Sequence, residues 1–204
     1  MVAQQTAARS RKPPAERRAE ILAQASFIAL ADGLERVTLR AVADRLGVRP
    51  GLISHYFPAV EELVAEAFAL AVSGEREQMF AGAGSPASRL AALVRRVTSG
   101  EADGLARLWL NARHLGRFSE VLATAIAAQE VQDRERMLAL IRDGVAVGEF
   151  RTDDPFAACV RIFIAIDGYS VYVNSVDEFE VTAYTRFVSD VCEWTLGLGS
   201  GFCS

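Results

Sequence analysis

Three cysteines in 204 residues, at 159, 192 and 203, are too few and too far apart for a disulfide framework, and no CxxC occurs. They read as small buried hydrophobes, plus one thiol in the tail GLGSGFCS. Two histidines, His55 and His114, stand without HxxxH or ExxH partners, so no metal site is expected. No cofactor motif occurs. The opening MVAQQTAARSRKPP lacks the apolar core of a secretory signal. Apolar runs such as IFIAI at 162–166 are stopped early by charge, so a membrane span is not expected. The reading is a cytoplasmic protein. His114 is the one plausible general base, and no nucleophile or orienting acid accompanies it at a diagnostic spacing, so an enzyme is not expected.

What is present is a helical pattern at 51% hydrophobic and 24% charged residues. No stretch alternates long enough for a sheet. The breakers delimit helices over 15–32, 39–45, from Pro50, then from Pro58 to about 80. Further helices cover about 86–99, 103–115, 119–147, 155–175 and 182–196. The fold class is all-α, with about nine helices. Ile21, Ala25 and Ile28 face inward on the first helix, and Leu63, Ala67 and Leu70 on the fourth. EVQDRERM (130–137) reads as a solvated face with a Glu130–Arg134 pair at i, i+4.

Charge is unevenly spread. Residues 1–58 hold nine basic and five acidic side chains, a net of +4. The remainder holds 13 basic and 21 acidic, a net of −8. A basic head on an acidic body points to a polyanion as the partner of the head.

The head contains a specific arrangement. Thr38 caps a short helix whose apolar side is Leu39, Val42 and Leu46. Gly47 ends it, and Pro50 suits the first turn of the next. Ala43 lets the two helices approach, and Val42, Leu46, Val48 and Ile53 pack between them. Two short helices joined by a Gly-containing turn make a helix-turn-helix, whose second helix is free to enter a major groove. An αα-corner in a bundle shares this spacing; the basic arm of Arg9, Arg11 and Lys12 favours DNA.

Residues 14–63 resemble the DNA-binding domain of the TetR family of bacterial transcriptional regulators. The resemblance is carried by the amphipathic first helix, Gly33, Thr38-Leu39, Ala43, Leu46-Gly47-Val48, Gly51, Phe57-Pro58, Glu61 and Leu63. GLISHYF is similar to the choline-responsive repressors of betaine synthesis. The chain departs from the family at Ser54 (commonly Tyr), Tyr56 (commonly His) and Val60, where a phosphate-contacting Lys is usual.

The resemblance implies domains at 1–57 (helix-turn-helix with its arm) and 58–204 (effector binding and dimerisation). It implies a homodimeric repressor on an inverted-repeat DNA operator, released by a small molecule. The DNA-binding residues would be Arg11, Lys12, Thr38, Arg49, Pro50, Gly51, Leu52, Ser54, His55 and Tyr56. Arg49, Ser54, His55 and Leu52 would meet base edges, and Thr38 and Tyr56 phosphates. Phe187, Val191 and Trp194 at i, i+4, i+7 would form the dimer interface. Pocket candidates are Trp109, His114, Phe118, Met137, Ile141, Phe163, Asp167 and Tyr172. Aromatics with one carboxylate suit a quaternary amine. The competing reading is a helical bundle for protein or small-molecule binding without sequence-specific DNA recognition.

Overall fold

A computed structural model describes residues 12–174 and 181–202. Arg9, Arg11 and Cys203 lie outside the described residues. Among the described residues, nine α-helices follow in order: α1 (Pro14–Asp32), α2 (Leu39–Leu46), α3 (Pro50–Tyr56), α4 (Val60–Met79), α5 (Pro86–Thr98), α6 (Asp103–Gly116), α7 (Glu120–Ala146), α8 (Pro155–Val173) and α9 (Val181–Leu196). No strand occurs among the described residues.

Local chemistry sets most of the boundaries. Thr38 accepts from the Ala41 N–H at 3.0 Å and caps α2. Ser85 and Ser119 cap α5 and α7 through Ser88 N and Leu122 N. Asp154 receives the N–H groups of Phe156 and Ala157 at 3.0 Å, with Pro155 following in the first turn of α8.

Two expectations are corrected, and one connection gains a turn. Pro58 does not open the fourth helix; that helix begins at Val60, and Pro58 sits in the bend before it. A 3-10 turn, Leu34–Arg36, fills the α1–α2 connection and buries Leu34. Leu70 is 42% exposed. The buried stripe of α4 runs instead through Phe68, Val72 and Arg76, a strict i, i+4 series.

Two apolar cores result. The first joins Ile21, Ile28, Val42, Ile53 and Phe57 to Leu63 and Phe68 of α4, then to Leu108 and Ala112 of α6 and Leu122 and Ile126 of α7. It runs past residue 57, so α4 is shared between the head and the body. The second core holds Leu90, Leu93, Met137, Ile141, Phe150 and Ile162, with Cys192 from α9. Cys159 and Cys192 are both buried in it.

Helix α8 is long and apolar enough, by length and composition, to cross a bilayer. It packs against α6, α7 and α9, and it carries Arg161 and Asp167. Its outer side exposes Phe156, Val160, Ile164 and Val171.

Candidate functional site

The head presents α3 outward. Gly47 adopts φ 62°, ψ 38°, and Val48 N donates to Ala43 O at 3.0 Å, closing α2. This left-handed residue turns the chain so that α3 starts in a new direction. Arg49 is its N-cap residue and Pro50 its first helical residue. Ile53 and Phe57 anchor α3 in the first core. Arg18 covers the Phe57 ring at 4.6 Å, behind the exposed face.

The opposite face carries the expected contact residues. Arg49, Pro50, Gly51 and His55 are exposed, and Leu52, Ser54 and Tyr56 are half-buried beside them. Ser54 donates to Gly51 O at 3.3 Å, and the His55 and Tyr56 rings meet edge to face at 5.3 Å. Nothing lies within 4 Å of where a Gly51 Cβ would stand. Thr38 is exposed, with its oxygen already engaged as a cap. Lys12 is tied to Glu20 at 2.8 Å, and it holds the Glu20 carboxyl below the usual range.

Most cations of the head are paired: Arg17 with Glu20, Arg18 with Glu66, Arg40 with Asp44 and Arg45 with Asp32. Arg49 makes no ion pair among the described residues. That leaves a full guanidinium charge at the mouth of the turn.

The body encloses a cavity of about 260 Å³ between α4, α5, α6, α7 and α8. Of the eight expected pocket residues, Trp109, Met137, Phe163 and Asp167 line it. The other four do not. His114 and Phe118 are exposed, and their rings meet edge to face at 5.7 Å. Ile141 is buried in the second core, and Tyr172 lies against Tyr184 at 4.5 Å. Helical spacing identified a shared face for these residues, and that face meets a different neighbour.

The 130–137 run is a solvated face only in part: Glu135 and Arg136 are exposed, whereas Glu130, Asp133 and Arg134 line the cavity. Arg76, 4% exposed, donates to Asp133, Gln132 Oε1 and Gln129 Oε1, clamping α4 to α7. Burial pushes the Asp133 carboxyl up, against the pull of Arg76. Arg113 of α6 donates to Asp167 of α8 at 3.0 Å and lies 3.6 Å from Glu130 of α7. Its burial works against the charge, but Asp167 and Glu130 outweigh it and raise its pKa. The expected Glu130–Arg134 pair does not form. Glu130 faces Arg113 because both point into the cavity mouth.

Arg113 also sits over the Trp109 ring at 5.3 Å, and Phe68 of α4 meets that ring edge-on at 5.2 Å. Trp109 therefore touches both the cavity and the core that holds the head. The expected interface residues Phe187 and Trp194 are exposed on α9, Trp194 to 72%, with Val191 half-buried between them.

Residues 21–67 match the family described as bacterial regulatory proteins, tetR family. A curated relative is the HTH-type transcriptional repressor KstR2 of Mycolicibacterium smegmatis, 27% identical over 144 residues, which are 69% of this chain and 70% of that protein. A TetR-family regulator from Rhodococcus sp. superposes with a TM-score of 0.74 at 20% identity, over 89% of this chain and 99% of that one. A transcriptional regulator from Saccharomonospora viridis, solved with choline, gives 0.72 at 20% identity, over 89% and 98%. These relatives are transcriptional regulators, not enzymes. Residues 21–67 are thus identified with the tetR-family regulatory domain, and the all-helical fold is shared with these regulators over most of the chain.

Proposed function

We propose that the chain is a cytoplasmic repressor that binds an inverted-repeat operator as a homodimer and is released when a small molecule enters the cavity. The observation that carries this reading is the exposed face of α3, turned outward by Gly47, with Arg49, Gly51 and His55 along it. Phosphate contacts position such a helix, and its base-facing side chains read the sequence. The relative KstR2 is itself a repressor.

Dimerisation follows from surface chemistry. Phe156 and Ile164 of α8 and Phe187 and Trp194 of α9 expose large apolar side chains, between 50% and 72% each. An apolar patch of this kind needs covering. A second copy supplies the same patch in a two-fold arrangement. Two recognition helices then meet half-sites roughly 34–36 Å apart. Trp109 supports the coupling, since a molecule in the cavity presses on a ring that abuts Phe68 of α4.

A quaternary amine is a second reading, favoured by Trp109 with Asp167 and by choline in the Saccharomonospora viridis regulator. It requires the incoming cation to displace Arg113 from the Trp109 face. Isothermal titration with choline and betaine tests it, and absence of heat contradicts it.

The dimer test is light scattering with operator retention on the same samples. Wild type is expected as a dimer that retains DNA, and Trp194→Asp as a monomer that does not. A monomeric wild type with full operator affinity overturns the proposal.

A further inference from the structure

The charge run at 130–137 forms part of the cavity wall: Glu130, Asp133, Arg134 and Met137 all line it. Three guanidinium groups reach that wall, and two are spent. Arg76 is held by Asp133, Gln132 and Gln129. Arg113 is shared between Glu130 and Asp167. The third, Arg134, is half-buried, and its side chain makes no hydrogen bond or ion pair among the described residues.

Its position offers no other compensation. Arg134 lies in the middle of α7, beyond the reach of either helix terminus. Its charge bears on Cys159, a wall residue of α8, where it opposes the rise in pKa that burial imposes. Arg134 and Cys159 line the same wall of the cavity. The carboxylates differ. Asp133, Glu130 and Asp167 are each paired with an arginine. Asp103 makes no ion pair among the described residues, but it is the first residue of α6, where the helix dipole favours a negative charge. Elsewhere the wall is mostly apolar, with Met79, Phe80, Leu93, Val97, Phe163 and Ile166, and the Tyr169 and Ser170 hydroxyls are engaged by backbone oxygens.

We infer that the cavity takes an apolar molecule carrying a single anionic group of the carboxylate class, with Arg134 as the residue that meets its charge. The inference rests on the cavity being the effector site. A charged acceptor makes the stronger hydrogen bonds to a guanidinium, and an unpaired, half-buried cation gains from one. A cationic molecule of the same shape finds no carboxylate free of an arginine or a helix terminus.

The test uses three probes of one shape on the full-length chain, by isothermal titration: 4-phenylbutyrate, 4-phenylbutanol and 4-phenylbutyl-trimethylammonium. The carboxylate is expected to bind about tenfold or more tighter than the alcohol, and the ammonium weakest. Arg134→Gln is expected to bring the carboxylate down to the alcohol, with the alcohol unchanged, and Arg134→Lys to keep most of the preference. Tighter binding of the ammonium, no binding of any probe, or an undiminished carboxylate preference in Arg134→Gln overturns the inference. DNA retention is measured on the same preparations. Its loss in wild type counts against the regulator reading, whereas its persistence beside a failed probe series confines the failure to the ligand class.

Discussion

Arg113 on α6 donates to Asp167 on α8 at 3.0 Å, while Arg76 on α4 reaches Asp133 on α7 from a fully enclosed position. These two ion pairs close the same cavity and differ in worth. The Arg113 and Asp167 side chains are 40% and 44% exposed, so water and salt screen them. Arg76 is enclosed and satisfied by four acceptors.

Arg113→Ala is therefore expected to cost no more than about 1 kcal/mol of stability. Arg76→Ala is expected to cost about 3–5 kcal/mol, because it strands Asp133 in a buried place. Without Arg76, Asp133 keeps the burial that raises its pKa and loses the partner that opposes it. The folded variant then binds a proton more tightly than the unfolded chain. Its deficit relative to wild type should shrink as pH falls through the raised pKa. Urea melts at two pH values measure both effects.

Gly51→Ala separates folding from DNA contact. A Cβ there meets nothing within the protein. The thermal midpoint is expected to hold or rise slightly, since alanine suits a helix better. Operator affinity is expected to fall by about 1–3 kcal/mol if the backbone approaches DNA closely at this residue. Melting and anisotropy on one sample check the two halves.

Val60→Lys restores the cation usual in the family, at the first residue of α4. A dimer gains two phosphate contacts, each worth about 0.9 in the slope of log K against log salt. The slope should steepen by about 2, on specific and random DNA alike. An unchanged slope means that Val60 does not face phosphate.

Cys159 is enclosed, and burial pushes its thiol up to about 11. At pH 8 about one thiol in a thousand is ionised. Iodoacetamide followed by peptide mass analysis should leave Cys159 unmodified in the native state and modify it in urea.

Much of the fold was legible because its helices are punctuated. Thr38, Gly47, Ser85-Pro86 and Asp154-Pro155 carry caps and stops that act locally, and each boundary lies where that chemistry puts it. Pro58 misled because a proline suits the residues just before a helix as well as its first turn. The face of α3 was legible for the same local reason.

The cavity was half legible. Trp109, Met137, Phe163 and Asp167 reach it, but the arginines and carboxylates that shape its wall resembled a solvated run. The register held a usable signal. Ile126, Gln129, Asp133, Met137 and Leu140 recur every three or four residues along α7, so the inward stripe passes through the charges. Arg76 likewise continues Phe68 and Val72 on α4. Which helix lies opposite such a stripe is decided by tertiary packing. Spacing alone could not put Phe118 at the surface or Ile141 in the core.

The central claim, sequence-specific DNA recognition by a dimer, is tested most directly by selection from a random duplex pool. Fluorescence anisotropy on the enriched sequence and on a scrambled copy, at two salt concentrations, then completes the test. The expected result is an enriched inverted repeat, bound by two subunits or a multiple, and bound more tightly than the scrambled duplex at both salts. No enrichment, with equal and weak binding to both duplexes, would contradict the account.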